Sequence, residues 1–399
     1  MANKVPKIRF KGFTDAWEQR ELGTISDIIG GGTPSTSNSE YWNGDIDWYS
    51  PVEIGEQIYV FGSQKKITKL GLEKSSAKIL PVGTVLFTSR AGIGNTAILA
   101  KEGCTNQGFQ SIIPHQNELD SYFIYSRTHE LKRYGEVTGA GSTFVEVSGK
   151  QMAKMPISIP KIEEQRKIGG FFKELDSLIT LHQRRCEQTK ELKKFMLQKM
   201  FPKKGEKNPE IRFSGFTDDW EQRKFEKFAQ RQSNTMISNP DNPCIEYEDV
   251  ISEQGILNKD VCSKDAEKNG IIFTEEDILY GKLRPYLHNW LNPDFKGVAV
   301  GDWWVLRPIN MDKNFLYWLI QTPQYDNAAN QSSGTKMPRA DWKLVSNTDF
   351  YVPISNEEQA KIAGLFEKIN TLITLHQRKC EQLKELKKFM LQNMFPKKG

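Results

Sequence analysis

The chain has 399 residues, 38% of them apolar and 26% charged, with a net charge of +5. That length allows two or three domains with sizeable cores, and the balance fits a soluble globular protein rather than a disordered or fibrous one. No run approaches the ~18 apolar residues of a membrane span, the start "MANKVPKIRF" has no leader-like apolar stretch, and five cysteines without a CxxC argue against a disulfide framework or zinc cluster and fit a reducing cytoplasm.

In chain order, a short opening, IRFKGFTDAWEQR (Ile8–Arg20), precedes the Gly/Ser/Thr/Asn-rich stretch Gly30–Gly44, which predicts a loop. TVLFT, QSIIP and PISIP (from Thr84, Gln110 and Pro156) are short β-rich runs broken by Gly and Pro. SYFIYSRTHELKRY, from Ser121, has helical spacing of aromatics and leucines. From Glu163 to Phe201 there is no proline, and Pro202 ends a long helical run. A second opening, IRFSGFTDDWEQR, occupies Ile211–Arg223; WWVLRP (Trp303–Pro308) reads as a strand and NFLYWLIQTPQY, from Asn314, as helix. A second long helix starts at a capping-box spacing, Ser355 to Glu358, and stops before Pro396.

The chain is therefore an internal duplication. The two openings share 11 of 13 residues at an offset of 203, and Ile179–Gly205 shares 24 of 27 with Ile373–Gly399 at an offset of 194. The segments between have diverged, yet Thr84–Arg90 aligns with Asp277–Arg284, Gly108–Pro114 with Asp302–Pro308, and Leu119–Tyr125 with Met311–Tyr317. A period near 200 residues is too long for a solenoid. It indicates two copies of one domain-plus-helix unit.

The repeated helices carry the basic excess, +6 on Ile179–Gly205 and +5 on Ile373–Gly399, which leaves −6 on the rest. Those lysines read as solvated helix faces as readily as a nucleic-acid footprint. Apolar residues recur at about 3.5 spacing, Leu175, Leu178, His182, Leu192 and Met196 in one helix and Ile369, Leu372, His376, Leu383, Leu386 and Met390 in the other. The paired histidines fit a polar residue fixing register better than a ligand or base. A helix of about 38 residues spans roughly 57 Å. Two such helices in one chain pack most simply antiparallel about a pseudo-twofold, either as a spacer between two domains or as an assembly coiled coil.

Catalytic signatures are absent: no P-loop, no HExxH, no GxSxG. GIGNTA (Gly92–Ala97) is followed by too little helix for a dinucleotide site and reads as a turn, as does NPDF (Asn292–Phe295). Glu163, Glu164, Glu357 and Glu358 open helices, where carboxylates favour the dipole. Trp42, Trp48, Trp303 and Trp304 fit core packing better than base stacking.

The opening IRFKGFTDAWEQREL with its Gly/Thr/Ser-rich continuation, the closing GSTFVEVSGKQMAKMPISIPKIEEQRKIGGFF, and the repetition of that order resemble the DNA-specificity subunit of type I restriction–modification systems over essentially the whole chain. The resemblance implies an α+β fold: two mixed α/β target recognition domains, 1–160 and 204–354, and two conserved helices, 161–203 and 355–399, packed as an antiparallel coiled coil. It implies a non-catalytic cytoplasmic protein that binds double-stranded DNA at a bipartite asymmetric site. Its partners would be two adenine methyltransferase subunits, using S-adenosylmethionine, and two restriction/translocase subunits, using ATP and Mg²⁺; the chain itself would hold no cofactor or metal.

Within that reading the loops supply the DNA-binding candidates. In the first domain these are Ser35, Thr36, Ser37, Asn38 and Tyr41, then Ser89, Arg90 and Asn95, then Thr143 and Lys150. In the second they are Arg231 and Asn234, then Lys282, Arg284 and Tyr286, then Lys336, Arg339 and Asp341. Arginine can bridge the two acceptors of guanine and asparagine can pair with adenine; each position is otherwise an ordinary solvated loop residue. The competing class is a scaffold whose helices tether two protein- or glycan-binding domains.

Overall fold

The computed structural model describes residues 5–90, 92–139, 146–262, 264, 267–331 and 337–396. The chain forms two compact units whose boundary falls inside both long helices: Met1–His182 with Lys379–Gly399, and Gln183–Arg378.

In the first unit a five-stranded sheet runs in the order Ser26–Gly30, Gln110–Pro114, Val85–Phe87, Thr96–Leu99, Tyr59–Val60. A three-stranded sheet of Lys65–Ile67, Trp42–Tyr49 and Cys104–Thr105 accompanies it. In the second unit, Ala229–Gln232, Trp303–Pro308, Ile278–Gly281 and Trp290–Leu291 form the matching sheet. The aligned sequence pairs thus occupy equivalent strands. The aligned helices agree as well: Asp120 and Asp312 each cap one, accepting from the amides of Phe123 and Phe315 at 2.8 Å. Trp48, Trp303 and Trp304 are core residues, and half-buried Trp42 meets Trp48 edge-to-face with centroids 5.1 Å apart.

The long helices are Ile162–Lys199 and Asn356–Asn393. In the first unit, Ile168, Phe172, Leu175 and Ile179 of one share a core with Cys380, Leu383, Met394 and Phe395 from the end of the other and beyond. Lys387 pairs with Asp176 at 2.5 Å, and Phe395 stacks on Phe172 at 5.9 Å, so the two chain directions are opposed. The second unit repeats this with Phe201 against Phe366 at 6.1 Å and Lys193 bonded to Asn370 at 3.2 Å. The buried stripe follows the phase 168-172-175-179 and 362-366-369-373. The expected seam drifts off it: Leu175, Ile369 and Leu383 are buried, whereas Leu178, Leu192, Leu372 and Leu386 face solvent. Each helix must also cover its own domain, and that second contact rotates the stripe away from a strict 3.5 repeat.

The repeated openings bind helix ends. Arg9 clasps Glu164 with two bonds of 2.7 Å, and Arg212 clasps Glu358 at 2.6 and 2.9 Å. Both carboxylates are 1% exposed. Glu164 and Glu358 stand in the first turns of their helices, as expected, and are in addition buried anchors. The capping box at Ser355 is half-formed: its hydroxyl accepts the Glu358 amide at 3.4 Å, while the Glu358 carboxylate turns to Arg212 and to the Trp220 indole. Each opening also meets the end of the other copy's helix, Ile8 N–H donating to the Asn393 carbonyl and Ile211 N–H to that of Lys199, both at 2.9 Å.

Removing one partner of a buried, bidentate ion pair strands the other charge. Arg9→Ala should therefore destabilise the first unit by about 3 kcal/mol. Denaturant unfolding with amide exchange resolved by unit checks this, with the loss expected in Met1–His182 rather than in Gln183–Arg378.

Candidate nucleic-acid interface

In each unit a strand-end loop is tied to a segment far along the sequence. In the first, Arg90 bridges Glu146 in an isolated antiparallel pair, and Val147 N–H donates to the Ser89 carbonyl at 3.0 Å. In the second, Leu283 bridges Arg339, Arg284 N–H donates to the Pro338 carbonyl at 2.7 Å, and Ala340 N–H to that of Lys282 at 2.8 Å. Ser89 and Arg90 thus meet segment 146–147, and Lys282 to Arg284 meet segment 338–340, which includes the candidate Arg339.

Asp302 accepts from the Arg339 guanidinium in two bonds of 3.1 Å and lies 3.7 Å from Lys282. Arg339, then Lys282, holds the Asp302 carboxyl below the usual carboxylate range against the opposing effect of burial. Arg284 and His288 both adopt left-handed backbone, φ +48° and +53°, on either side of the single turn Pro285–Leu287, which exposes Tyr286. Such conformations in non-glycine residues carry strain that the surroundings must hold in place. The hydrogen bonds to 338 and 340 supply that hold.

The early loop of the first unit rests on a glycine pair. Gly31 lies where a Cβ would fall 2.0 Å from the Asn106 carbonyl oxygen, so no side chain fits. Gly32 then pairs with Thr105, and its carbonyl takes the Trp48 indole N–H at 2.8 Å. Ser35, Thr36 and Ser37 project exposed from this anchor, with the Ser35 and Ser37 hydroxyls 2.8 Å apart, and Tyr41 is half-buried. Segment 105–108 links this loop onward, because Ser89 N–H donates to the Gly108 carbonyl.

Several candidates are occupied elsewhere. Asn38 accepts the Glu40 amide and Asp341 the Lys343 amide, so both side chains serve as local caps. Ser89 is fully buried, facing the core from a paired strand end, and does not present its hydroxyl to solvent. Exposed Asn95 donates to the Ile54 carbonyl at 3.2 Å, and Arg231 lies over the Trp342 ring at 5.1 Å. Lys150 and Asn234 are exposed. Thr143 and Lys336 lie outside the described residues. Sequence reasoning missed Glu146 and Asp302, the carboxylates on which Arg90 and Arg339 rest; the only signal was the charge of residues aligned beside strand ends.

The family model described as "Type I restriction modification DNA specificity domain" matches this chain twice, over residues 14–191 and 217–385. The chain belongs to that family. A specificity subunit of Methanocaldococcus jannaschii, the MjaIX type I restriction enzyme, is 38% identical over 166 residues, covering 41% of this chain and 38% of the relative. The EcoR124I/EcoR124II specificity subunit of Escherichia coli is 31% identical over 169 residues, covering 40% and 41%. The match thus spans about two fifths of these relatives' length. The MjaVIII specificity subunit of M. jannaschii is 21% identical over 395 residues, covering 93% and 90%. The crystal structure of a type I system S subunit from M. genitalium superposes with a TM-score of 0.63 at 13% identity, covering 99% of this chain and all of that one, which establishes the shared fold.

The Asp302 contact contributes in full above the ordinary Asp pKa and is lost as pH falls through the depressed carboxyl pKa. Asp302→Asn should loosen the tie between the two loops, modestly because Arg339 is half-exposed and screened by solvent. Exchange of the Arg284 and Ala340 amides, faster by about fivefold, checks it.

Proposed function

We propose that this chain is the non-catalytic DNA-reading subunit of a type I restriction–modification complex. Residues 1–160 and 204–354 act as target recognition domains, each reading one half of a bipartite asymmetric site, and the helical segments 161–203 and 355–399 set the unspecified gap between the halves. The observation that carries the reading is the family match in two copies, one over each diverged domain with much of its helix. The scaffold reading has no comparable support. Two differently shaped loop clusters on one chain suit two unlike half-sites, whose contributions to specificity add roughly and whose linkage raises the effective concentration of the second contact. Among the candidates, Arg90, Lys282, Arg284 and Arg339 suit base edges or phosphates, and the exposed Ser35–Ser37 tip suits groove contacts.

The surface that the duplication repeats supports a paired set of partners. The first unit exposes Leu178, Leu181, Leu386 and Phe389; the second exposes the equivalents Leu372, Leu375, Leu192 and Phe195. Solvent-facing apolar side chains kept identical in both copies suit two copies of one partner. Two adenine methyltransferase subunits carrying S-adenosylmethionine fit that requirement. Restriction subunits using ATP and Mg²⁺ complete the assembly, in the cytoplasm where the DNA is. Among the described residues no helix is long and apolar enough to cross a membrane.

Mapping methylated adenines in a host carrying the chain with its methyltransferase tests the proposal. Two short base sets at a fixed unspecified spacing are expected, and one continuous motif would overturn it. Arg284→Ala should relax one position of a single half-site, leave the spacing unchanged, and weaken binding by roughly 1–3 kcal/mol. Titrations with base-substituted duplexes read this directly.

A further inference from the structure

One single-turn element recurs in both units, and its apex differs. In the first unit it is Pro51–Glu53, which follows strand Trp42–Tyr49 where that strand runs parallel to Cys104–Thr105. In the second it is Tyr247–Asp249, which follows strand Cys244–Ile245 where that strand runs parallel to Gly297–Ala299. The next hydrogen bond also matches: Asn106 N–H donates to the Tyr49 carbonyl at 3.0 Å, and Val300 N–H to that of Ile245 at 2.9 Å. This register makes Val52 the counterpart of Glu248.

In each turn the last residue, an acid, braces the backbone. Glu53 accepts the Ser50 and Gln64 amides at 2.9 and 2.7 Å. Buried Asp249 accepts the Glu246 amide at 2.7 Å and pairs with Lys259 at 2.8 Å. The middle residue is left facing out: Val52 is 89% exposed, and Glu248 is exposed as well. Both turns adjoin the candidate reading loops. Pro51 packs so closely on segment 105–108 that a Cβ at Gly108 would fall 2.8 Å from its ring, and the Gly108 carbonyl takes the Ser89 N–H. The Asn95 side chain holds Ile54, the residue that ends the turn. In the second unit the Tyr247 hydroxyl donates to the Leu283 carbonyl at 2.5 Å.

We propose that this apex is a specificity-determining position in both domains. Val52 meets the 5-methyl group of a thymine, and Glu248 accepts from the 4-amino group of a cytosine, each in the major groove of one half-site. Those two groups are what distinguish the pyrimidines on that edge, and an apolar side chain and a carboxylate are their respective complements. Lys282 and Arg284 flank the residue that Tyr247 holds, and they offset the repulsion between a carboxylate and the phosphates. This inference rests on the DNA-reading role.

The test titrates the full chain with a duplex carrying its mapped site, each thymine replaced in turn by deoxyuridine, which pairs alike and lacks only the methyl group. Both apex residues are exposed, so Val52→Ala and Glu248→Ala should fold normally. The unsubstituted chain should lose about fourfold in affinity at one thymine of one half-site. Val52→Ala should abolish that difference. Glu248→Ala should keep it and relax one C·G position in the other half-site. A chain that prefers its site yet tolerates deoxyuridine at every thymine overturns the inference. So does a site without thymine, a loss that persists in Val52→Ala, or a Glu248→Ala chain with every cytosine preference intact. A chain with no preference for its site over a scrambled duplex overturns the DNA-reading role, and this inference with it.

Discussion

The structure depends on an aromatic closure in which the end of one copy's helix completes the core of the other copy's domain. In the first unit Phe395 contacts Trp17, Phe123 and Phe172, with centroids 5.7–6.0 Å apart. In the second, Phe201 contacts Trp220, Phe315 and Phe366 at 5.5–6.2 Å. Each ring inserted this way buries an area worth several kcal/mol, and its removal would leave a cavity among three other rings. Neither domain therefore has a complete core from its own half of the chain.

That closure explains what repeats and what does not. The openings repeat because Arg9 and Arg212 hold the helix starts, Trp17 and Trp220 receive the helix ends, and Ile8 and Ile211 cap them. Every part of the clasp touches another repeated part, so a change in one would strand a buried partner. The loops at Ser35–Tyr41 and at Arg284–His288 lie in the diverged segments, outside the repeated openings and helices.

The duplication, its offsets and the aligned strands and helices were legible because they leave identical or periodic residues in the sequence. The helix seam was legible in kind and in part of its positions: Leu175, Ile369 and Leu383 are buried, whereas Leu178, Leu192, Leu372 and Leu386 are exposed. Spacing alone records that a helix buries a stripe, not that Leu178 yields its place to Ile179 because the domain also presses on the helix. Glu164 and Glu358 could be placed at helix starts from the sequence, but a partner 155 or 146 residues away is invisible to local pattern. Ser89, Asn38 and Asp341 show the same limit at the candidate interface: composition marks a loop residue as polar, while the backbone decides whether it caps, buries or faces out.

The most direct measurement of the central claim is amide exchange on the chain truncated before Lys379. Loss of the helix end takes Phe395 from the Trp17 cluster and Lys387 from Asp176. Protection should then collapse through Met1–His182 while Gln183–Arg378, which keeps Phe201, stays protected. A first unit that retains its full protection without that segment would contradict the account.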